Sequence, residues 1–493
     1  MDLPLLRPAE AADGRAVWRT ADRRLEARAI PREPPEDGLR ILAVGGSATA
    51  GLGFSPNVTF ARHLERMARA DRPGRPAEVV NLGIVALSST QVRAIVEDLC
   101  RDPRGADAIV VYSGNNEFLE LHAEKFAALQ AGLGQRLGAL MRDTNLIRLV
   151  QGGRRRGGPP ITNRDVAAND QRVSERTLVR DIEVSPEEIE EAFDRYEANL
   201  EAMVEAAGAA GTTLILVTVA SNWEWRGRED LPADWPLELV PGDGPRDAEF
   251  WRAVVQGLDE KLAAAGPKEA HDWLYRRALA HSQLGRWDAA RADYRAAMNR
   301  DPHLRRAPDA LAERVRAVGA RHGVPVVDAI EALARRAEHG VVGFDQFYDY
   351  VHFTPRGAVE VAAELFAELR RLELVPPGGE LALEDHVAEE IAAVQDPGLL
   401  EDYLEADRWV GFCFDRDYLA DRDLWKYDAM LEELDRRLTS DPQDWRARIY
   451  RGNARSFQLE GRAGAEEDYR EALALAPDPA VVEANLARLA RRR

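Results

Sequence analysis

The sequence predicts an α/β protein: a parallel sheet covered by helices on both faces, with further helical hairpins attached. Three observations carry this. Short apolar runs alternate with amphipathic stretches from Arg40 to Asp328. Several runs are apolar at consecutive positions, the pattern of a strand buried on both sides. Two later stretches share a helix–turn–helix pattern of small and aromatic residues.

Residues 1 to about 37 read as a polar arm ending in Pro31-Arg32-Glu33-Pro34-Pro35-Glu36. Strands are expected at Arg40 to Val44, Glu78 to Leu82, Ala108 to Tyr112, Thr213 to Val219 and Val324 to Asp328. One helix start is well marked. Ser185-Pro186-Glu187-Glu188 offers a capping serine, a proline at the first helical position and a glutamate three after the cap. Ile189, Phe193, Tyr196, Leu200 and Val204 follow at helical spacing. Gln151 to Pro160, rich in glycine and arginine, reads as a solvated loop. Ser221 to Gly244 follows a strand, where active-site loops of α/β sheets lie. Within it, Asn222, Trp223 and Trp225 are candidate substrate-binding residues. The tryptophans, Trp235 included, either line a substrate mouth or pin the loop to the body.

The segment Trp273 to Pro302 places Gly285 between two helices, small Ala290 and Ala297 at the approach, and Trp287 and Tyr294 in the groove. It resembles a tetratricopeptide repeat. Trp445 to Pro477 repeats the pattern with Gly461, Ala465, Tyr469 and Ala472, and Leu431 to Pro442 reads as the second helix of a preceding unit. One repeat cannot bury its own face. The insertion, about residues 250–305, is therefore expected to pack on the C-terminal helical region, 374–493. These repeats are either a docking surface for a protein partner or scaffolding.

With 493 residues and 45% hydrophobic content, the chain has ample core for two or three domains. A net charge of -19 with both signs interspersed argues against nucleic-acid binding. No run of 18 apolar residues marks a membrane span. The N-terminus lacks the apolar core of a secretion signal, so the chain as it stands is expected to be cytoplasmic. A processed, exported protein would read the same. Cys100 and Cys413 lie far apart, and both read as buried thiols.

Four blocks carry chemistry. Ile41-Leu42-Ala43-Val44-Gly45-Gly46-Ser47 is an apolar run that stops at two glycines and a serine. Gly83 follows a second run, in Asn81-Leu82-Gly83, and Gly114-Asn115-Asn116-Glu117 follows a third. Asp349-Tyr350-Val351-His352 sets an acid and a base three residues apart. A serine hydroxyl is a poor nucleophile until a base takes its proton. Attack on an acyl carbon creates an oxyanion, which needs donors fixed in advance. A histidine serves as base and then acid, and a carboxylate fixes its tautomer. Thr354-Pro355-Arg356-Gly357 reads as a helix cap just beyond the histidine. No phosphate loop and no H-E-x-x-H zinc motif occurs, and the other histidines form no ligand cluster. Neither a metal nor another cofactor is expected.

In order and spelling, the four blocks resemble the SGNH hydrolase superfamily, also called the GDSL esterase/lipase family, over about residues 38–373. The resemblance implies a three-layer α/β/α domain, interrupted by the repeat insertion. It implies Ser47 as nucleophile, His352 as general base and Asp349 as the orienting carboxylate. It also implies Ser47, Gly83 and Asn116 as oxyanion donors. Gly46 stands where the family's common spelling has aspartate, and Glu117 where aspartate is more usual. These spellings, joined to such repeats, resemble a large bacterial subgroup. The activity implied is hydrolysis of a carboxylic ester bearing a small acyl group, on a glycan, peptide or metabolite. Two alternatives are acyl transfer from the same acyl-enzyme to an alcohol, and a non-catalytic scaffold that works through the repeats.

Overall fold

The computed structural model describes residues 4–22, 25, 28–33, 38–52, 58–71, 74–101, 106–117, 185–225, 235–240, 245–301, 306–375, 381–394, 425–456, 461–477, 479, 482–483, 485–486 and 489. The chain divides into two compact units, Met1–Trp225 with Pro236–Glu390, and Arg226–Trp235 with Ile391–Arg493. The expected loop at Gln151 to Pro160 and Cys413 lie outside the described residues.

The first unit begins with a small sheet where the sequence suggested an arm. Strands β1 (Leu6–Glu10), β2 (Ala16–Thr20) and β3 (Ala29–Pro31) pair antiparallel in that order. Leu5, Leu6, Val17, Trp18 and Ile30 are buried in and beside it. So few apolar residues in such short strands leave a weak periodic signal. Long-range bonds hold this sheet on the body: Arg28 Nη1 donates to the Val79 carbonyl at 2.7 Å, and Arg40 Nη2 to that of Pro31 at 2.9 Å.

The main sheet contains β4 (Leu39–Gly45), β5 (Ala77–Asn81), β6 (Ala108–Tyr112), β7 (Thr213–Val217) and β8 (Val326–Val327), all parallel, in the order β5-β4-β6-β7-β8. Every residue of β4 is buried, Arg40 included. That guanidinium is balanced by Glu78, at 2.9 Å. The helices that follow in the chain are α1 (Ser47–Ala50), α2 (Phe60–Asp71), α3 (Ser89–Arg101), α4 (Pro186–Ala210), α5 (Ala248–Ala264), α6 (Pro267–Gln283), α7 (Trp287–Asn299), α8 (Asp309–His322), α9 (Ala329–Arg336), α10 (Pro355–Arg371) and α11 (Leu383–Val394). Two helical layers cover the sheet: α2 packs with α10 and α9 with α10, while α3, α4 and α8 pack together. The α4 start is a full capping box. The Ser185 hydroxyl accepts from the Glu188 N–H, and Glu188 Oε2 accepts from the Ser185 N–H at 2.7 Å.

Helices α6 and α7 form the expected hairpin, with Gly285 at φ 65° in the turn. Ala278, Ala290 and Ala297 are fully buried between them. The Tyr275 and Tyr294 rings meet edge to face at 5.6 Å. The hairpin has neighbours within the first unit. Helix α5 packs on α6, the Tyr275 hydroxyl donates to the Glu224 carbonyl, and Trp287 stacks on His339.

The second unit holds α12 (Trp425–Ser440), α13 (Trp445–Arg455) and α14 (Arg462–Leu475). Its core contains Ile449, Ala465, Tyr469, Ala472, Val482 and Leu489. Leu434 and Leu438 of α12 are buried, as their spacing predicts. Among the described residues, no helix is long and apolar enough to cross a membrane.

Candidate active site

Parallel strands deliver their following loops to one edge of a sheet. Here β4 leads to Ser47, β5 to Gly83, β6 to Asn116 and β7 to Asn222, while the segment after α9 carries Asp349 and His352. The site is therefore assembled from five loops that are remote in sequence.

Ser47 and His352, 305 residues apart, meet with Oγ 2.7 Å from Nε2. The other ring nitrogen lies 2.6 Å from Asp349 Oδ2. With a proton on Nδ1, the imidazole donates to the carboxylate and accepts from the serine hydroxyl. Asp349 Oδ1 accepts from the N–H groups of Val351 and His352, at 2.9 and 2.7 Å. The acid thus shapes the turn that carries the base. Ser47 is 6% exposed, His352 2% and Asp349 0%, so the relay is nearly dry. Low dielectric strengthens each polar contact within it. Behind the histidine, Thr354 caps α10 by accepting from the Gly357 N–H at 3.1 Å, as its sequence predicts. Tyr348, also buried, stacks on the imidazole at 5.8 Å and donates its hydroxyl to the Leu52 carbonyl.

Asn116 lies beside the serine loop. Its Nδ2 donates to the Leu87 carbonyl at 2.9 Å, leaving the second amide hydrogen for another acceptor. A Cβ at Gly46 would stand 2.7 Å from that same Nδ2 and 3.3 Å from the Leu87 carbonyl oxygen. Only glycine lets the serine loop approach Asn116 so closely. Glu117 is buried and clamps the same corner, accepting from the Ser89 N–H and hydroxyl at 2.8 Å each, at the start of α3. The charge of Glu117 is a secondary reason, after burial, that the Tyr196 phenol is pushed well above its ordinary range. Tyr196 in turn donates to the Ser113 carbonyl at 2.7 Å, just ahead of the asparagines.

Gly83 has a different place from the one the resemblance implies. Its N–H donates to Asn81 Oδ1 at 2.9 Å and is engaged within its own loop. A Cβ there would lie 2.4 Å from the Ala50 nitrogen, so this glycine exists to let the end of β5 pack on α1. Three residues on, Ala86 takes φ 64°, a left-handed conformation that costs a non-glycine residue energy. Ala86 adjoins Leu87, the residue that accepts from Asn116. Sequence reasoning passed over it because alanine carries no chemical signal and its backbone angle is not written in the chain.

The three candidate substrate residues after β7 are all buried: Asn222 at 0%, Trp223 at 2% and Trp225 at 4%. They hold the loop rather than line a mouth. Asn222 Nδ2 donates to the Asp349 carbonyl at 2.9 Å, and the Asn222 N–H to that of Tyr350 at 3.0 Å. The Trp223 N–H donates to the Val342 carbonyl, and the Arg295 guanidinium lies over its ring. Trp225 packs against Tyr350 at 5.1 Å. Among the described residues, no group of three or more His, Cys, Asp or Glu side chains is arranged to hold a metal ion.

No protein-family model matches the chain, and no curated protein sequence matches it. Solved structures similar to it include TesA, at 12% identity and TM-score 0.27, covering 68% of this chain and 99% of that one. A GDSL-like lipase from Bacteroides thetaiotaomicron is similar at 12% identity and TM-score 0.28, covering 68% and 88%. Axe2, an acetylxylan esterase from Geobacillus stearothermophilus, is similar at 13% identity and TM-score 0.30, covering 67% and 94%.

Proposed function

We propose that this chain is a serine esterase of the SGNH type, cleaving a carboxylic ester through an acyl-enzyme. The hydrogen-bonded series Ser47–His352–Asp349 carries this reading. His352 Nε2 takes the Ser47 proton as Oγ attacks the ester carbonyl carbon. The carbonyl electron pair moves onto oxygen, which receives hydrogen bonds from the Ser47 N–H and the free amide hydrogen of Asn116. In place of Gly83, the backbone N–H of Ala86 is the third donor. The strained turn beside Leu87 supports this, because strain is retained where it fixes a functional group. The oxyanion then collapses, the C–O bond to the alcohol breaks, and His352 returns the proton to the leaving oxygen. Water repeats the sequence on the acyl-enzyme and releases the acid.

The direct test is release of p-nitrophenol from a short-chain ester. Ser47→Ala is expected to lose at least about 10³-fold in turnover, as removal of a triad nucleophile does elsewhere. A fluorophosphonate is expected to label Ser47 in the wild type and nothing in the variant. Undiminished hydrolysis by the variant refutes the reading. Recovery of free acid, with no ester of an added alcohol, distinguishes hydrolysis from transfer.

A further inference from the structure

The sealed relay raises the question of what a substrate meets first. The rings of Tyr348 and Tyr350 both touch His352. Tyr348 is completely buried. Tyr350 is partly exposed and stands edge-on to the imidazole at 5.8 Å. Of these two rings, Tyr350 is the one that reaches solvent.

Its position is held from behind. Trp225, buried, packs on the Tyr350 ring at 5.1 Å, and the buried Arg306 guanidinium lies 5.2 Å from the Trp225 ring centre. The Tyr350 carbonyl accepts from Asn222. Such a supported aromatic presents a fixed apolar surface at little entropic cost.

The side of the substrate that Tyr350 faces follows from proton movement. His352 hands its proton to the leaving oxygen, so the alcohol departs past the imidazole. Asn116, held beside Gly46 by the Leu87 carbonyl, serves the other requirement in this reading, the carbonyl oxygen. We infer that Tyr350 is the specificity-determining platform for the alcohol part of the ester, and that this part is a ring with a flat apolar face. Both an aryl ring and a pyranose offer such a face. The inference rests on the esterase reading and goes beyond it, because it names the half of the substrate that is selected.

The experiment compares the full chain with Tyr350→Ala and Tyr350→Phe on three acetates: phenyl acetate, an acetylated methyl pyranoside and ethyl acetate. A second series varies acyl length on one alcohol. With Tyr350→Ala, kcat/KM is expected to fall roughly three- to tenfold further for the ring alcohols than for ethyl acetate, the worth of one aromatic contact. The loss falls mainly in KM, acyl-length preference is unchanged, and Tyr350→Phe behaves as wild type. Loss on only one ring alcohol assigns the platform to that class. Equal loss on all three acetates, or a changed acyl-length preference, overturns the inference while leaving the esterase standing. A wild type inert to every ester and to a fluorophosphonate overturns the esterase reading itself, and the platform with it. Fluorophosphonate labelling of Tyr350→Ala at the wild-type rate shows that the variant is folded with its nucleophile intact.

Discussion

Asn222 braces the turn that carries the acid and the base. Its amide nitrogen holds the Asp349 carbonyl, its N–H holds that of Tyr350, its Oδ1 accepts from the Glu224 N–H, and its carbonyl accepts from Arg306. The first two of these bonds restrain the turn on which the acid and the base sit. Replacing it by alanine removes the buried bond to the Asp349 carbonyl and the part-buried one from the Glu224 N–H, and loss of the buried bond costs about 1–3 kcal/mol. A displaced acid–base pair slows chemistry by up to about 10²-fold, since angstrom-scale misplacement has effects of that size. Asn222→Ala is therefore expected to lose kcat with KM little changed, measured on a short-chain ester. A variant with normal kcat contradicts the positioning role. The sequence marked Asn222 as a candidate substrate-binding residue in the loop after a strand, and gave no sign that it braces the acid–base turn. Its partners lie 127 and 128 positions downstream, beyond any local pattern.

The junction of α2 with α11 shows what buried charge does for an element pair. His63 is fully buried, with Nδ1 2.6 Å from Glu390 Oε2, and Arg66 Nε lies 2.8 Å from the same oxygen. Nearby, Asp71 of α2 faces Arg370 of α10 and, at 3.6 Å, His386 of α11. Burial pushes the His63 imidazole below its ordinary value of 6.5, against the pull of Glu390. Burial pushes the Glu390 carboxyl up, but His63 and Arg66 bring it below its ordinary 4.5. Both folded values are depressed, so both groups contribute stability at neutral pH that is lost on acidification. For His63 the loss begins below 6.5 and for Glu390 below 4.5. The melting temperature of the wild type is expected to fall as pH drops below 6.5. His63→Gln is expected to flatten that first limb and to leave the more acidic one. Parallel melting curves across the whole range contradict this account. No motif announced the cluster, because the histidine and glutamate lie 327 residues apart.

At the scale of the molecule, each compact unit owns a core. In the second, Tyr469 is 2% exposed and packs among Ile449, Ala465 and Ala472, with its hydroxyl on Asn453 Oδ1 at 2.8 Å. Tyr469→Ala removes a large buried side chain, worth about 3–5 kcal/mol. Calorimetry is expected to show a lowered transition for this unit, while ester turnover below that transition stays at the wild-type level. Loss of turnover in step with the lowered transition shows that the site depends on the second unit. The hairpin α6–α7 was legible from its glycine and alanines, since those residues act within the hairpin. Its support was not. The residues it leans on, Glu224 and His339, are unremarkable in sequence and become neighbours only after the strands have paired.

By itself the chain determined the strands of the sheet, the α4 and α10 caps, the hairpins and the residues of the relay. Those are local facts: period, cap chemistry and the habit of parallel strands to end on one edge. Tertiary structure decided the rest. It drew the Gly83 N–H into its own loop and bent Ala86 into a left-handed turn. It turned Asn222, Trp223 and Trp225 inward and left Tyr350 at the surface beside the base. Each of these outcomes depends on which backbones approach one another, and close approach is a property of packing between distant segments, which residue type alone does not encode.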